Sequence, residues 1–346
     1  MPLEPPARTG VLSPALCALE QVAQEQGWTF TPLDPYSRQF VRVAAGDAFF
    51  FTGTGRVYAY PLNSSVSASI ARDKAFTYEA LAAAGIDVPP YGHYFLHPAW
   101  AARRGVGRER EDAFAYAQSL GYPVFVKPID GSRGANSDIA FTPDDLDAIM
   151  TEIAARHHAV LIQPVLSGED RRIFILDGEA LFTYRRERAA LTGDGTRPIS
   201  ALLDDYNVRA VAVGITPVAP DSPFLREALA GRGLALTSVL GAGETLPFAA
   251  RGNVSAGGLI SDFSESVPED WARWAARIVA ILGLRVAAVD FFAPHEGAPV
   301  STLNLIEVNS NPSLSGLIAL GRDDLARDIW RRVGTRYFAE QKERGR

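Results

Sequence analysis

Two apolar segments near the C-terminus constrain this chain most, because each carries ligand-type residues where a buried strand would have none. "RVAAVDFFAP" is a β-like run that holds Asp290. After a Gly/Pro turn, "STLNLIEVNSNPS" presents Glu307 and Asn309. Alternate residues of a strand share a face. The pattern therefore predicts Leu303, Leu305, Glu307 and Asn309 pointing one way, as a core face that ends in a site. Two carboxylates and an amide oxygen are hard ligands, suited to magnesium carrying nucleotide phosphates. The plain alternative is a hairpin whose end is polar, and the residues upstream decide between the two.

The chain has 346 residues, enough for two or three structural units in one body. Its apolar share of 47% and charged share of 21% are those of an ordinary globular protein. A net charge of −6 argues against a nucleic-acid partner, since that affinity needs clustered Lys and Arg. Cys17 has no second cysteine to pair with, which fits a reducing cytoplasm, and it reads as a small buried residue rather than a nucleophile. None of the five histidines has zinc-like spacing. The Pro-rich N-terminus has no signal-type apolar region, and no apolar run is long enough to span a bilayer. The expectation is a cytoplasmic protein with no membrane partner.

Helical spacing places Leu16, Leu19, Val22 and Ala23 on one side of "SPALCALEQVAQEQGW". "QFVRVAAGDAFFFTGTGRVYAY" reads as strands broken by Gly turns. "SASIARDKAFTYEALAAAGIDVPP" reads as one helix that stops near Gly85. A short helix over 111–120 precedes the buried strand "YPVFVKPI". A Gly-rich loop, a strand, and a helix capped by Thr142 follow. "AVLIQPVLSGEDRRIFILDGEALFTYRRE" reads as strand, loop, and a hairpin turning at Asp177-Gly178. "SPFLREALAGRG" and "PEDWARWAARIVAILGL" are helices, and a last helix starts near Asp323. Helices and strands alternate without a strict βαβ repeat, so the fold class is α+β with antiparallel pairs. The expected units are 1–105 as an N-terminal domain with an entry helix, 106–186 as a small subdomain with a glycine loop, and 187–346 as a large subdomain with the metal site.

Lys127 ends a strand directly before "PIDGSRGAN". A strand-end lysine can neutralise nucleotide phosphates, and backbone N–H groups around Gly131, Ser132, Gly134 and Ala135 can close over them. The lysine precedes the glycines, so this is not a Walker-type loop. In "LIQPVLSGEDRRIFIL", backbone groups near Gln163, Val165 and Leu166 could read an adenine edge. Glu169 or Asp170 could accept from ribose hydroxyls, and Arg172 could enter the same cleft. Lys74 stands near a helix start, where a lone lysine is usually solvated. "YRRER" concentrates charge around Arg186. "AARGNVSAGGLISD" carries Arg251, Asn253, Gly257 and Gly258. Arginines suit carboxylates and transferring phosphoryl groups because the guanidinium is a planar fork of donors.

The order of these segments is more specific than any one of them. Helix-borne Lys, strand Lys, glycine loop, acidic hinge, arginines, Asp, then Glu-x-Asn resembles the ATP-grasp superfamily of carboxylate–amine ligases, from about Ser64 to Leu320. The likeness implies an ATP-grasp fold with the nucleotide held between two α+β subdomains after an N-terminal α/β domain. It implies that Lys74 and Lys127 contact ATP phosphates and that residues from Gln163 to Asp170 hold adenine and ribose. Asp290, Glu307 and Asn309 would bind magnesium (two ions, with manganese able to substitute). "RRERAALTGDGTRPISALLDDYN" and "RGNVSAGGLISD" look most like cyanophycin synthetase and the ATP-grasp domain of bifunctional glutathione synthetases. The shared pattern here is Arg251, Asn253, Ser255, Gly257 and Gly258. D-alanine–D-alanine ligases are a more distant likeness, and their arginine two residues before the metal Asp is Ala288 here. Gln163 stands where many relatives carry an acid, and Arg188 where the nearest often have proline.

The resemblance implies an acylphosphate route to an amide, peptide or γ-glutamyl in type, with ADP and phosphate released. Catalysis would then be positioning and charge neutralisation. Arg251 is the first candidate to grip the acylphosphate, with Lys127, Arg172 and Arg186 beside it, and substrate would meet Arg251, Asn253, Gly257 and Asn311. The expected partners are small amino acid substrates, and the habit of relatives makes a homodimer the expected assembly. Two alternatives stand: a ligase that modifies a protein or carrier acceptor, and a nucleotide-binding regulator without catalysis.

Overall fold

The computed structural model describes residues 12–344 except 35, 56–57, 98, 100–105, 131–135, 188, 213–216 and 249–258. The first helix, Pro14–Gln26, buries Leu16, Leu19, Val22 and Ala23 completely, as its spacing predicts. The strands β1 (Thr29–Pro32), β2 (Phe40–Ala45) and β3 (Ala48–Gly53) form an antiparallel sheet beside it. The next segment does not form the single expected helix. It makes Ser65–Arg72 and Lys74–Ala83, divided at Asp73. The Asp73 carboxylate accepts from the N–H groups of Ala75 and Phe76, so a side-chain cap restarts the helix.

A four-stranded sheet follows from β4 (Gly92–Phe95), β5 (Val124–Pro128), β6 (Asp138–Ala140) and β7 (Ala159–Pro164), in the order β4-β7-β5-β6. Helices Arg110–Leu120 and Pro143–Ala154 cover one face through Ala113, Ala117, Leu146, Met150 and Ile153. The second carries the expected Thr142 cap, completed as a capping box by Asp145. Then β8 (Glu169–Leu176) and β9 (Glu179–Glu187) form a hairpin across Asp177 (φ 50) and Gly178 (φ 83). A positive φ at both central positions matches the right-handed twist of the strands, which is why Asp-Gly turns there.

After β9 the chain leaves the sheet and builds a small unit with its own core. The strands β10 (Ala190–Thr192) and β11 (Thr245–Pro247) pair with each other, and helices Ile199–Ala212 and Pro223–Ala230 pack Ile199, Leu203, Tyr206 and Leu225 against Leu240 and Phe248. The helix over 199–212 has no counterpart in the sequence reading. Within this unit the "GDG" turn is structural. Asp194 accepts from the N–H groups of Thr196 and Arg197, and a Cβ on Gly193 would lie 2.3 Å from the Gly241 carbonyl oxygen.

The chain returns as β12 (Leu259–Ser264) to pair with β9, and β13 (Val286–Ala293) and β14 (Asn304–Asn309) complete a five-stranded antiparallel sheet ordered β12-β9-β8-β13-β14. One face packs on the Glu269–Ile281 helix through Trp271, Ala275 and Ile278. The other joins the first helix and the Asp323–Arg344 helix through Phe174, Phe182, Ile329 and Trp330. The antiparallel α+β expectation agrees with this architecture. The divisions expected at 105 and 186 do not follow the sheets. β4 belongs with β5 to β7, and β8 and β9 belong with β13 and β14.

Asn63 joins the N-terminal part to the strands of the site. Its Nδ2 donates to the carbonyls of Val286 (2.7 Å) and Ser310 (2.8 Å), and its Oδ1 accepts from the N–H groups of Arg285 (2.9 Å) and Val286 (3.0 Å). Asn63→Ala removes all four bonds and should destabilise the fold by about 3 kcal/mol. Thermal denaturation that left the midpoint unchanged would show that solvent replaces them.

Candidate active site

Asp290 lies on β13, between β8 and β14, and has no exposed surface. A carboxylate so placed must be paired, and two guanidiniums pair with it. Arg172 of β8, directly opposite in register, donates through Nε and Nη2 to the two carboxylate oxygens, each at 2.6 Å. Arg186 of β9 donates to Oδ2 at 2.9 Å and to Asp170 at 2.6 Å. On the other side, Glu307 of β14 sits opposite Asp290 in register. The Asn309 amide donates to Asp290 (3.1 Å) and to Glu307 (3.2 Å).

One irregularity aims this set. The β13–β14 register shifts after Asp290, so Phe291 pairs with Leu305 and Ile306 is an extra residue. The expected single face of Leu303, Leu305, Glu307 and Asn309 is therefore corrected. Leu303 and Leu305 pack in the core under the opposite face, while Glu307 and Asn309 turn to Asp290. The displaced carbonyls find other donors. The Tyr78 hydroxyl donates to Leu305 (3.0 Å) and Ile306 (2.9 Å), and Lys127 Nζ donates to Ile306 at 3.3 Å.

The two lysines reach this edge from the neighbouring layer. Lys127 is the last residue but one of β5 and is only 3% exposed. Lys74 is the first residue of its helix, its N–H donates to the Ile129 carbonyl at 2.9 Å, and its Nζ lies 3.5 Å from the Glu307 carboxylate. Tyr78 is one helical turn beyond Lys74. The sequence reading missed it, although the i, i+4 spacing from a site lysine was the available signal.

Burial and charge set the protonation of the cluster. Burial pushes the Lys127 ammonium down to about 7, helped by Lys74 and opposed by Glu307. Burial also pushes Glu307 up, but Lys74, Arg186, Lys127 and Arg172 outweigh it and hold the carboxyl at about 2. Asp170 is pushed up to about 6 by burial, against the pull of Arg186. Lys74, Lys127, Arg172 and Arg186 thus stand among three carboxylates, Asp170, Asp290 and Glu307.

The structure brings together Lys74, Lys127, Asp170, Arg172, Arg186, Asp290, Glu307 and Asn309. Glu169 is separated from them. It lies on the opposite face of β8, where it accepts from Arg171 at 2.8 Å. Gln163 is buried near the end of β7, and Val165 and Leu166 follow in the β7–β8 loop. Asn311 Oδ1 accepts from the Tyr60 N–H at 3.4 Å. Gly131, Ser132, Gly134, Arg251, Asn253 and Gly257 lie outside the described residues. Among the described residues, no helix is long and apolar enough to cross a membrane.

The fold is the ATP-grasp fold. A crystal structure of a bifunctional glutathione synthetase from Pasteurella multocida superposes with a TM-score of 0.60 over 97% of this chain and 45% of that one, at 22% identity. In sequence, the chain is homologous to cyanophycin synthetase and to bifunctional glutathione synthetase. The cyanophycin synthetase of Geminocystis herdmanii is 28% identical over 255 residues, which are 70% of this chain and 28% of that protein. The glutathione biosynthesis bifunctional protein of Mannheimia succiniciproducens is 27% identical over 290 residues, 80% of this chain and 36% of that protein. The chain thus spans about a third of the length of these curated relatives. No family model matches it.

A polyphosphate, were it to bind beside Lys127, would need that ammonium charged, and burial pushes it down to about 7. Triphosphate affinity should therefore be greatest below that pH and fall as pH rises through it, by up to about tenfold per unit. Calorimetric titration from about pH 6 to about pH 9 checks the sign, and Lys127→Met should flatten the profile.

Proposed function

We propose that this chain is an ATP- and magnesium-dependent ligase that joins an amino acid carboxylate to the amine of another amino acid or small amine. The observation that carries this reading is the pair Asp290–Glu307, opposite each other on β13 and β14 and surrounded by Lys74, Lys127, Arg172 and Arg186. The names of the relatives, which make cyanophycin and glutathione, support amino acid substrates.

A carboxylate oxygen is a poor leaving group. Transfer of the γ-phosphate to it gives an acylphosphate. The amine then attacks the carbonyl carbon, the C–O bond to phosphate breaks, phosphate leaves with the electron pair, and the nitrogen gives up a proton to phosphate or solvent. The protein's part is to align the reactants and to offset charge that builds on the transferring group. Lys74 and Lys127 would take the phosphates, and Asp170 would take the ribose. Arg172 and Arg186 would stabilise the transferring group, with Arg251 gripping the acylphosphate, a role that rests on sequence alone.

The donor set fits magnesium. Asp290, Glu307 and the Asn309 amide oxygen are hard ligands. Among the described residues no group of three or more His, Cys, Asp and Glu could hold a metal by itself. Magnesium commonly takes one or two carboxylates and completes its shell with phosphate oxygens and water. When bound, the ion would screen phosphate charge and polarise the transferring phosphoryl group. Arg172 and Arg186 neutralise Asp290 here.

Phosphate release from ATP with magnesium, screened over amino acids singly and in pairs with mass spectrometry of products, tests the reading. The expected result is ADP and phosphate with one pair, together with an amide of the summed mass less water. Glu307→Gln should cut turnover by at least about 100-fold with circular dichroism unchanged. A wild-type rate in that variant would remove Glu307 from the mechanism. Binding of ATP without turnover on any pair would point to a protein or carrier acceptor, or to a nucleotide-binding regulator without catalysis.

A further inference from the structure

We propose that Gln163 leaves the nucleotide site tolerant at the purine 6-position, so that 6-oxo purine triphosphates bind beside 6-amino ones. This rests on the nucleotide reading above and deepens it.

Gln163 is 3% exposed, and its buried Oε1 has no hydrogen-bond partner among the described residues. Buried side-chain amides are normally satisfied, because an unmade hydrogen bond there is costly. An unsatisfied one in a candidate binding site points to a ligand. The strand register shows which side it serves. Gln163 stands opposite Phe125, and Leu161 opposite Lys127, so all four side chains share one face of the four-stranded sheet. The amide and the phosphate-type lysine therefore serve the same side. Val165 and Leu166 continue directly into the loop that leads to Asp170.

The chemistry of an amide then decides selectivity. A carboxylate at this position would offer acceptors only, so it would take the 6-amino group of adenine and repel a 6-oxo group. An amide carries an acceptor and a donor on the same carbon, and a half-turn about its last torsion exchanges them. A protein hydrogen bond to Oε1 would lock one orientation and restore discrimination. No such bond exists among the described residues. The orientation is left to the ligand, and either 6-substituent finds a partner.

Equilibrium binding of ATP and of inosine triphosphate, with magnesium and no amino acid, tests this on the full chain. For the wild type, the two dissociation constants should lie within about tenfold. Gln163→Glu should weaken inosine triphosphate relative to ATP by about 100-fold. Gln163→Met, of similar volume, should weaken both nucleotides alike. The comparison is a ratio within each variant, so a loss of folded protein does not imitate the effect. Wild type that binds ATP but rejects inosine triphosphate by more than about 100-fold overturns this inference and leaves the ligase reading standing. A Gln163→Glu ratio equal to that of wild type also overturns it. Binding of neither nucleotide overturns the nucleotide reading and this inference together.

Discussion

The site depends on a carboxylate placed where no carboxylate could stand alone. Asp290 is fully buried in the middle of a five-stranded sheet, and the two guanidiniums of Arg172 and Arg186 make that burial tolerable. Removing one member of such a group usually costs about 3–5 kcal/mol, because the other charge is left in a low-dielectric interior. The arrangement is thus a constraint on three strands at once. β8, β9 and β13 must keep their register for the charges to meet, and that same register sets Glu307 and Asn309 beside them.

The bulge at Ile306 is the second device, and it joins the two layers. An unbroken ladder would put Leu305 and Glu307 on one face. One extra residue sends Leu305 to the core and Glu307 to the site, and it frees carbonyls that Tyr78 and Lys127 then satisfy. The four-stranded sheet and the Lys74–Ala83 helix are thereby held against the β14 edge by bonds to backbone, which no side-chain substitution on β14 removes. The price is a lysine buried so far that its ammonium is pushed down to about 7.

The small unit between β9 and β12 leaves and returns at adjacent positions, with Glu187 opposite Leu259 in register. Its core is separate from the others, built on Ile199, Tyr206, Leu225 and Phe248. It departs after Glu187, one residue beyond Arg186. A self-contained core explains how such a long excursion is compatible with a continuous β9–β12 pairing.

Much of this was legible in the residues. The capped helix at Thr142, the Asp-Gly hairpin, the first helix with its buried stripe, and the two acids Asp290 and Glu307 set into apolar strands all follow from local period, turn chemistry and the oddity of acids in apolar runs. The homology to cyanophycin and bifunctional glutathione synthetases was readable from the order of motifs, because order survives where identity does not. The remainder needed tertiary structure, for identifiable reasons. Asp73 splits a helix through a cap that the apolar period does not reveal. The bulge at Ile306 is a register shift, and register is a property of two strands together. The division of β8 and β9 from β7 depends on which strands pair, and the short loop between them hides it. Which of Glu169 and Asp170 faces the site is a matter of strand parity, fixed only when Arg172 meets Asp290. The sequence by itself determined the chemical groups and their order, because those are local. Only the fold decided their faces and their charges, because both arise from neighbours distant in the chain.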